Sequence, residues 1–385
     1  MNKAYIVGAL RTPIGKTAGS LASLSEVTLL STVFKDILTK VNINGDCLDD
    51  IIAGCCFPQE PYKLTKLAAL SAGIPADKPA TTVIRTCASS MEALVIACNK
   101  IMVENAEVIL VGGCENMSQS PYSMKNAIHT LRNSQKNFSS FKNINFLENV
   151  GLAMESLARI YKIDKQRQNE YSQESCIKAQ YAQGKGWFSR EIVPVYLEQQ
   201  NFYFDIDENI QQFADIIADK REEPLYCLDG TISKKNTPSI NDGACAILVM
   251  SEKACRRYNC TPIAAFETSS LIGVDPKKIG LAPYLAFKKL IYKAGLKQSD
   301  IDLIECNEAY AIQACVCMEI GKWNKAKVNI GGGSLALGHP LGCTGIRICT
   351  TLIHHLMRTS SRYGIATMCA GGGMGMSILF ENLMI

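Results

Sequence analysis

Histidine is scarce in this 385-residue chain, with four in all, and long apolar runs are missing. No stretch approaches the ~20 consecutive apolar residues that a bilayer crossing requires, so no membrane-spanning helix is expected. Net charge is only +4, with no basic or acidic tract. That balance argues against nucleic acid or a membrane surface as a partner. The opening "MNKAYIVGALRTP" enters a strand-like run almost at once, which leaves no room for a signal peptide. The closing "ENLMI" is no peroxisomal tripeptide. A cytoplasmic protein is expected. Paired C-x-x-C spacing is also absent: neither "GCCF" nor "ACVC" has the form of a zinc site, so no metal is expected.

Cysteine, by contrast, is abundant. The 17 residues are scattered and odd in number, so without an export signal they read as reduced thiols, most of them small buried hydrophobes. A cysteine with a chemical task has to be picked out by its surroundings.

A chain this long exceeds one small core, and a repeat organises it. In the first half "CLDDIIAGC", "TTVIRTCASSMEALVIACNKI" and "AEVILVGGCENM" follow one another. In the second, "SDIDLIECNEA", "KVNIGGGSLALGHPLGCTGIRICTTLI" and "YGIATMCAGGGMG" keep the same order. Each half runs acidic turn, strand, second strand, special turn, helix and a third strand ending in glycines. Two α/β halves are expected, with sites where strand ends meet helix starts. After Cys87 the apolar residues Met91, Leu94, Val95, Cys98, Ile101 and Met102 share one helical face. Residues 119–236 break the pattern and read as an inserted subdomain. It begins polar, continues in a charged amphipathic helix over "DKQRQNEYSQESCIKAQYAQ" and carries a short strand in "WFSREIVPV".

Four side chains stand out. Cys87 lies between a strand and a helix, where the helix dipole and free N–H groups favour a thiolate, the nucleophile for acyl transfer. His339, in the glycine-framed turn "LGHPLG", is placed as a general base. Cys369 ends a strand before three glycines, whose bare N–H groups suit an oxyanion hole. Asn307 closes the apolar run "IDLIECN" and can hold a water or orient an imidazole; a helix cap is its bland alternative. Glu308 reads as a first-turn helix acid. Buried structural cysteines and an idle loop histidine remain the alternatives for each residue alone. In the repeat, Cys87 and His339 occupy equivalent turns, with Asn307 and Cys369 on flanking strand ends, so packing of the halves brings the four together.

The blocks "RTPIGK", "CASSMEAL", "GGCENMS", "NDGA", "GVDP", "CNEAYA", "GGGSLALGHPLGCTG" and "CAGGGMG" resemble the thiolases across essentially the whole chain. The resemblance implies a layered αβαβα core of two pseudo-equivalent βαβαβαββ halves with an inserted loop domain. Its bounds are 1–118 (completed by 237–265), 119–236 and 266–385. It also implies reversible Claisen condensation and thiolysis of acyl-CoA thioesters, with acetyl-CoA C-acetyltransferase the first expectation. A 3-ketoacyl-CoA thiolase for longer or unusual chains is the alternative, and a non-catalytic acyl-CoA or lipid-binding protein a further one. By that likeness Cys87 is the nucleophile, His339 activates it and polarises the thioester, and Cys369 moves the α-proton. Asn307 holds a water at the enolate oxygen, and the N–H of Gly371 joins that of Cys87 in a second oxyanion hole. No metal or redox cofactor is implied; coenzyme A thioesters are substrates, and the assembly is a homodimer or homotetramer.

The chain departs from the family pattern at several positions. Ser90 replaces the glycine of C-x-S-G, while Pro238 and Ser239 are displaced against a Ser-Gly. Asn149 and Gln211 stand where a histidine and an arginine are usual. Ile279 stands where short-chain enzymes favour methionine. No coenzyme A-binding residue is therefore assigned.

Overall fold

The apolar segments of each half become adjacent strands. The computed structural model describes residues 2–60, 62–120, 144–219 and 222–385. Strand β1 (Ala4–Arg11) leads through the two-residue β2 (Gly15–Lys16) into α1 (Glu26–Val41) and β3 (Asp50–Gly54). Helix α2 (Leu64–Ser71), β4 (Ala80–Val83), α3 (Ser89–Met102) and β5 (Val108–Asn116) follow. Then come α4 (Ile144–Tyr161), α5 (Lys165–Gly184), the ribbon of β6 (Val195–Leu197) and β7 (Phe202–Phe204), and α6 (Asn209–Ala218). The chain returns as β8 (Asn241–Ser251), α7 (Glu252–Arg257), β9 (Ala264–Gly273), α8 (Ala282–Ala294) and β10 (Leu303–Cys306). It ends with α9 (Ala311–Gly321), the one-turn α10 (Ser334–Leu337), α11 (Thr344–Thr359), β11 (Tyr363–Ala370) and β12 (Met374–Asn382).

The pairing repeats. Strands β4, β3 and β5 are parallel, and β8 and β1 follow antiparallel. In the second half β10 and β11 are parallel, and β12 and β9 follow antiparallel. Val328 bridges Ile304 in parallel, the place β4 takes beside β3. Residues Ala4–Ile6 of β1 pair antiparallel with Ala264–Phe266 of β9 and join the halves. The repeat seen in the sequence is therefore a repeat of structure.

Alternation along the strands builds the layers. On β5, Ile109 and Val111 face an apolar cluster that contains Met91, Leu94 and Ile101 of α3 and Ile346, Cys349 and Leu352 of α11. Val108 and Leu110 face the other way, onto Leu30, Phe34 and Ile37 of α1. In the second half Ala366 and Met368 face α3 and α11, while Ile365 packs with Phe287 and Leu290 of α8. Helices α3 and α11 thus form a middle layer between the two halves of the sheet, with α1 and α2 outside one half and α8 and α9 outside the other. Strands covered on both sides need no polar face, which is why β3 and β8 are buried at every position.

The intervening segment differs from expectation in two respects. Helix α5 forms, but its buried face is small and polar rather than apolar: Gln168, Ser172, Ser175, Cys176, Ala179 and Ala182. Those side chains hydrogen-bond or pack closely against the loops beneath. The strand expected in "WFSREIVPV" lies later, at β6, because Trp187–Arg190 turn. No helix among the described residues is long and apolar enough to cross a membrane.

Candidate active site

The turn between β4 and α3 carries Cys87. Thr86 is held at φ 47°, a left-handed conformation costly for a β-branched residue. Ser89 compensates: its hydroxyl accepts the N–H of Arg85 at 2.9 Å and donates to the carbonyl of Thr86 at 2.6 Å. Cys87 remains partly exposed, whereas Cys369 and His339 are buried. The backbone N–H groups of Cys87 itself and of Gly371 lie against its sulfur and favour the anion. Burial and the nearby Glu115 carboxylate outweigh them and push the thiol up to about 12. The helix N-terminus favours a thiolate at this position, and desolvation works against it.

His339 hangs from a loop locked by Asn241. The Asn241 Oδ1 accepts the backbone N–H of His339 at 3.0 Å, and its Nδ2 donates to the carbonyl of Gly15 at 2.9 Å. Gly338 precedes with φ 102°, and a Cβ there would sit 2.5 Å from the Asn241 side chain. The imidazole Nδ1 lies 2.7 Å from the Thr344 hydroxyl, which itself donates to the carbonyl of Pro340 at 2.9 Å. A hydroxyl has one proton, so Nδ1 carries the hydrogen and Nε2 the free lone pair. Burial, with the Arg347 charge second, pulls the imidazole down to about 3. It is neutral at physiological pH, and its tautomer presents a base.

Cys369 stands at the end of β11, one residue before the Gly371–Gly373 turn with Ala370 between. Gly373 adopts φ 85° and would, with a Cβ, meet the carbonyl of Val274 in the "GVDP" segment at 2.4 Å. Burial first, then the Cys87 and Cys317 sulfurs, raise the Cys369 thiol. Tyr310, whose hydroxyl lies 2.9 Å from that of Tyr226, also feels both Cys87 and Cys369. The two thiols, one from each half, therefore share one environment.

Asn307 extends the β10–β11 ladder, its N–H donating to the carbonyl of Thr367 at 2.9 Å. It is fully buried, and its Nδ2 has no partner among the described residues. It caps no helix: α9 is preceded by Tyr310. Nor is Glu308 a first-turn acid. It accepts from Tyr171 and Ser175 of α5, Asn329, and the N–H of Leu335, so it fastens the inserted segment under the site.

Glu115 escaped the sequence reading. Buried at the end of β5, it accepts the amides of Cys56 (2.8 Å) and Phe57 (2.9 Å) from one half and Gly342 (2.7 Å) from the other. It lies within the quoted "GGCENMS", but only partners distant in sequence reveal its task. Among the described residues one His/Cys/Asp/Glu group has donor atoms close enough to share an ion: Glu26, Cys55 and Glu115. Both Glu115 oxygens are already committed to amides. Of the departures noted above, Gln211 is an exposed residue of α6 bonded to Asp215, and Ser239 binds Asn209 and Asn241. The side chain of Asn149 and most of the polar 119–148 stretch lie outside the described residues.

Comparison with known proteins shows the family. The thiolase N-terminal domain family matches residues 4–253, and the thiolase C-terminal domain family matches 260–382. The chain belongs to the thiolase family. As a thiolase it is an acyltransferase. It is 34% identical to an acetyl-CoA acetyltransferase of Cupriavidus necator, over 99% of this chain and 100% of that one. It is 33% identical to a beta-ketoadipyl-CoA thiolase of Acinetobacter baylyi, with both chains covered in full. Among solved structures, the Bacillus anthracis acetyl-CoA acetyltransferase superposes with a TM-score of 0.92 at 31% identity, covering 100% of this thiolase and 99% of that chain. Human mitochondrial 3-ketoacyl-CoA thiolase in complex with CoA gives 0.90 at 30%, covering 99% and 98%.

Proposed function

We propose that this thiolase joins two acetyl-CoA molecules into acetoacetyl-CoA and coenzyme A, and runs the reverse thiolysis, through an acetyl-Cys87 thioester. The observation that supports the reading is the proximity of Cys87, from one half, to Cys369 and the Gly371 N–H, from the other. On this reading Cys87 serves as nucleophile, the Gly371 N–H as oxyanion donor and Cys369 as the second thiol.

The chemistry closes as a cycle. Cys87 attacks the thioester carbonyl as its proton passes to His339 Nε2. Coenzyme A departs with a proton from Cys369, leaving acetyl-Cys87, an imidazolium and a Cys369 thiolate. That thiolate takes the α-proton of the second acetyl-CoA. The enolate oxygen is held by the His339 Nε2–H and, through a water, by Asn307. The enolate carbon attacks acetyl-Cys87; the released sulfur recovers its proton from His339, and acetoacetyl-CoA leaves. Covalent capture divides one difficult step into two, and each oxyanion donor of this kind is worth ~10²–10³ in turnover. Coenzyme A enters only as substrate; no step calls for a metal or redox group.

Incubation with acetyl-CoA and intact mass measurement tests the reading. One acetyl group, absent in Cys87→Ser, is expected; no adduct on the active protein overturns it. All 17 cysteines are free, which suits a reducing compartment such as the cytoplasm. The assembly is proposed as a homodimer rather than a homotetramer, to be checked by light scattering.

A further inference from the structure

A buried amide is ambiguous until its neighbours decide which end faces where. At Asn307 the neighbours do so. Arg347, on α11, is fully buried and donates from Nη2 to the Ser334 hydroxyl at 2.6 Å. A guanidinium has donors only and stays charged at any working pH, so Ser334 accepts on that side. Its one hydroxyl proton is then free, and it goes to Asn307 Oδ1, also at 2.6 Å. The relay has a fixed polarity from cation to hydroxyl to carbonyl oxygen. The Asn307 oxygen must face Ser334, and Nδ2 must face away. Nδ2 is buried without a partner among the described residues, as are Nε and Nη1 of Arg347. Rotating the amide by half a turn would leave the Ser334 proton without that acceptor and turn the Asn307 donor toward Ser334.

We propose that Ser334 and Arg347 are positioning residues that hold the Asn307 amide with its donor end toward the reacting thioester. Neither touches substrate; both act through Asn307. The proposal rests on the reading of Asn307 as an enolate-side donor. An alanine at 334 removes the acceptor for Arg347 and the donor for Oδ1 together, so the amide samples both orientations. Half the molecules or more then lack the donor when the α-proton leaves, and acylation of Cys87, which does not use it, proceeds.

The test is a cycle of Ser334→Ala, Asn307→Ala and the double variant, read by condensation kcat, KM for acetyl-CoA, and rate of Cys87 acetylation by intact mass. Donor loss in Asn307→Ala is expected to lower condensation ~10²–10³-fold. For Ser334→Ala we expect a fall of about twofold or more in condensation kcat, with acetylation and KM unchanged. In the Asn307→Ala background it should cost nothing further, because a residue that acts through another is silent once that one is gone. Wild-type condensation in Ser334→Ala alongside an impaired Asn307→Ala overturns the proposal. So do multiplying losses in the double variant, or acetylation falling in step with condensation. An unimpaired Asn307→Ala would instead remove the role of Asn307 and the proposal with it, while an acetyl-free wild-type enzyme would fell the wider reading. If Ser334→Ala does not fold, Ser334→Thr is compared with Ser334→Val, which has the same shape without the hydroxyl. Thr is expected about twofold or more faster in condensation, and equal rates overturn the proposal.

Discussion

The hydroxyl of Ser90 donates to the carbonyl of Cys343 at 3.2 Å. It also accepts the N–H of Ile346 at 3.0 Å, and so caps the first turn of α11 from the first turn of α3. Cys87 begins one of these turns and His339 the loop into the other. The Cα–Cβ space is exact enough that a Cβ on Gly113 would lie 2.4 Å from the Ser90 Cβ. Ser90 is fully buried. Its removal leaves the Ile346 donor without a partner, and an unpaired buried group costs about 1–3 kcal/mol. Ser90→Ala is expected to lower the stability of the fold by that amount in urea titration. An unchanged midpoint would show that the tie between the halves carries no free energy.

The raised Cys87 thiol makes a prediction about pH. Burial and the Glu115 charge place it near 12, so across the neutral range the thiolate is a minor species. Below its pKa an acid gains about tenfold in anion with each pH unit. Iodoacetamide labelling of Cys87 in the substrate-free enzyme is therefore expected to rise without a plateau from pH 7 to pH 10. A plateau near pH 7 would reveal a standing thiolate–imidazolium pair and refute the neutral His339 inferred from its burial.

Much of this architecture is legible in the sequence because it depends on local periodicity. The repeat of strand, turn and helix, and the face of α3 from Met91 to Ile101, follow from side-chain spacing alone. The charged helix α5 was legible as a helix, but its buried face was not, since Gln168, Ser172 and Ser175 are buried by the partners they bond rather than by their own apolarity. The same holds for the site. Cys87 and His339 announce themselves through turn chemistry. Glu115 and Asn241 do not, because each serves a loop that the fold brings from far along the chain. The protonation of Cys87 is not legible for a related reason: desolvation depends on what covers the turn, which the sequence does not state.

Separate roles for the two thiols imply separable half-reactions. Cys369 is near enough to feel Cys87 and is assigned proton transfer, not attack. Cys369→Ala is expected to accept an acetyl group on Cys87 and to lose condensation by a factor of ~10²–10⁴, the usual contribution of a placed acid–base group. Cys87→Ala should lose both. Intact mass for acetylation and acetoacetyl-CoA absorbance for condensation read the two steps independently. Loss of acetylation in Cys369→Ala would contradict the division of labour.

Chain length is expected to be set by the space for the acyl group that Cys87 carries, beside Cys369. The Cys369 sulfur belongs to an apolar cluster with Met154, Leu157, Ile279, Tyr310 and Ile312. The packing there is tight: a Cβ on Gly280 would fall 2.5 Å from Leu157 and 3.1 Å from the Met154 sulfur. Ile279 is only 3% exposed, and a longer acyl tail on Cys87 is expected to press on its branched side chain. Acetoacetyl-CoA is expected to be cleaved in preference to 3-oxohexanoyl-CoA. One methylene in such a pocket is worth roughly 10–200-fold in specificity, so Ile279→Ala should shift the kcat/KM ratio toward the longer substrate by about tenfold or more. A ratio unmoved by Ile279→Ala would place the length limit elsewhere. A wild-type preference for the longer chain would favour the alternative reading, a 3-ketoacyl-CoA thiolase, over acetoacetyl-CoA chemistry.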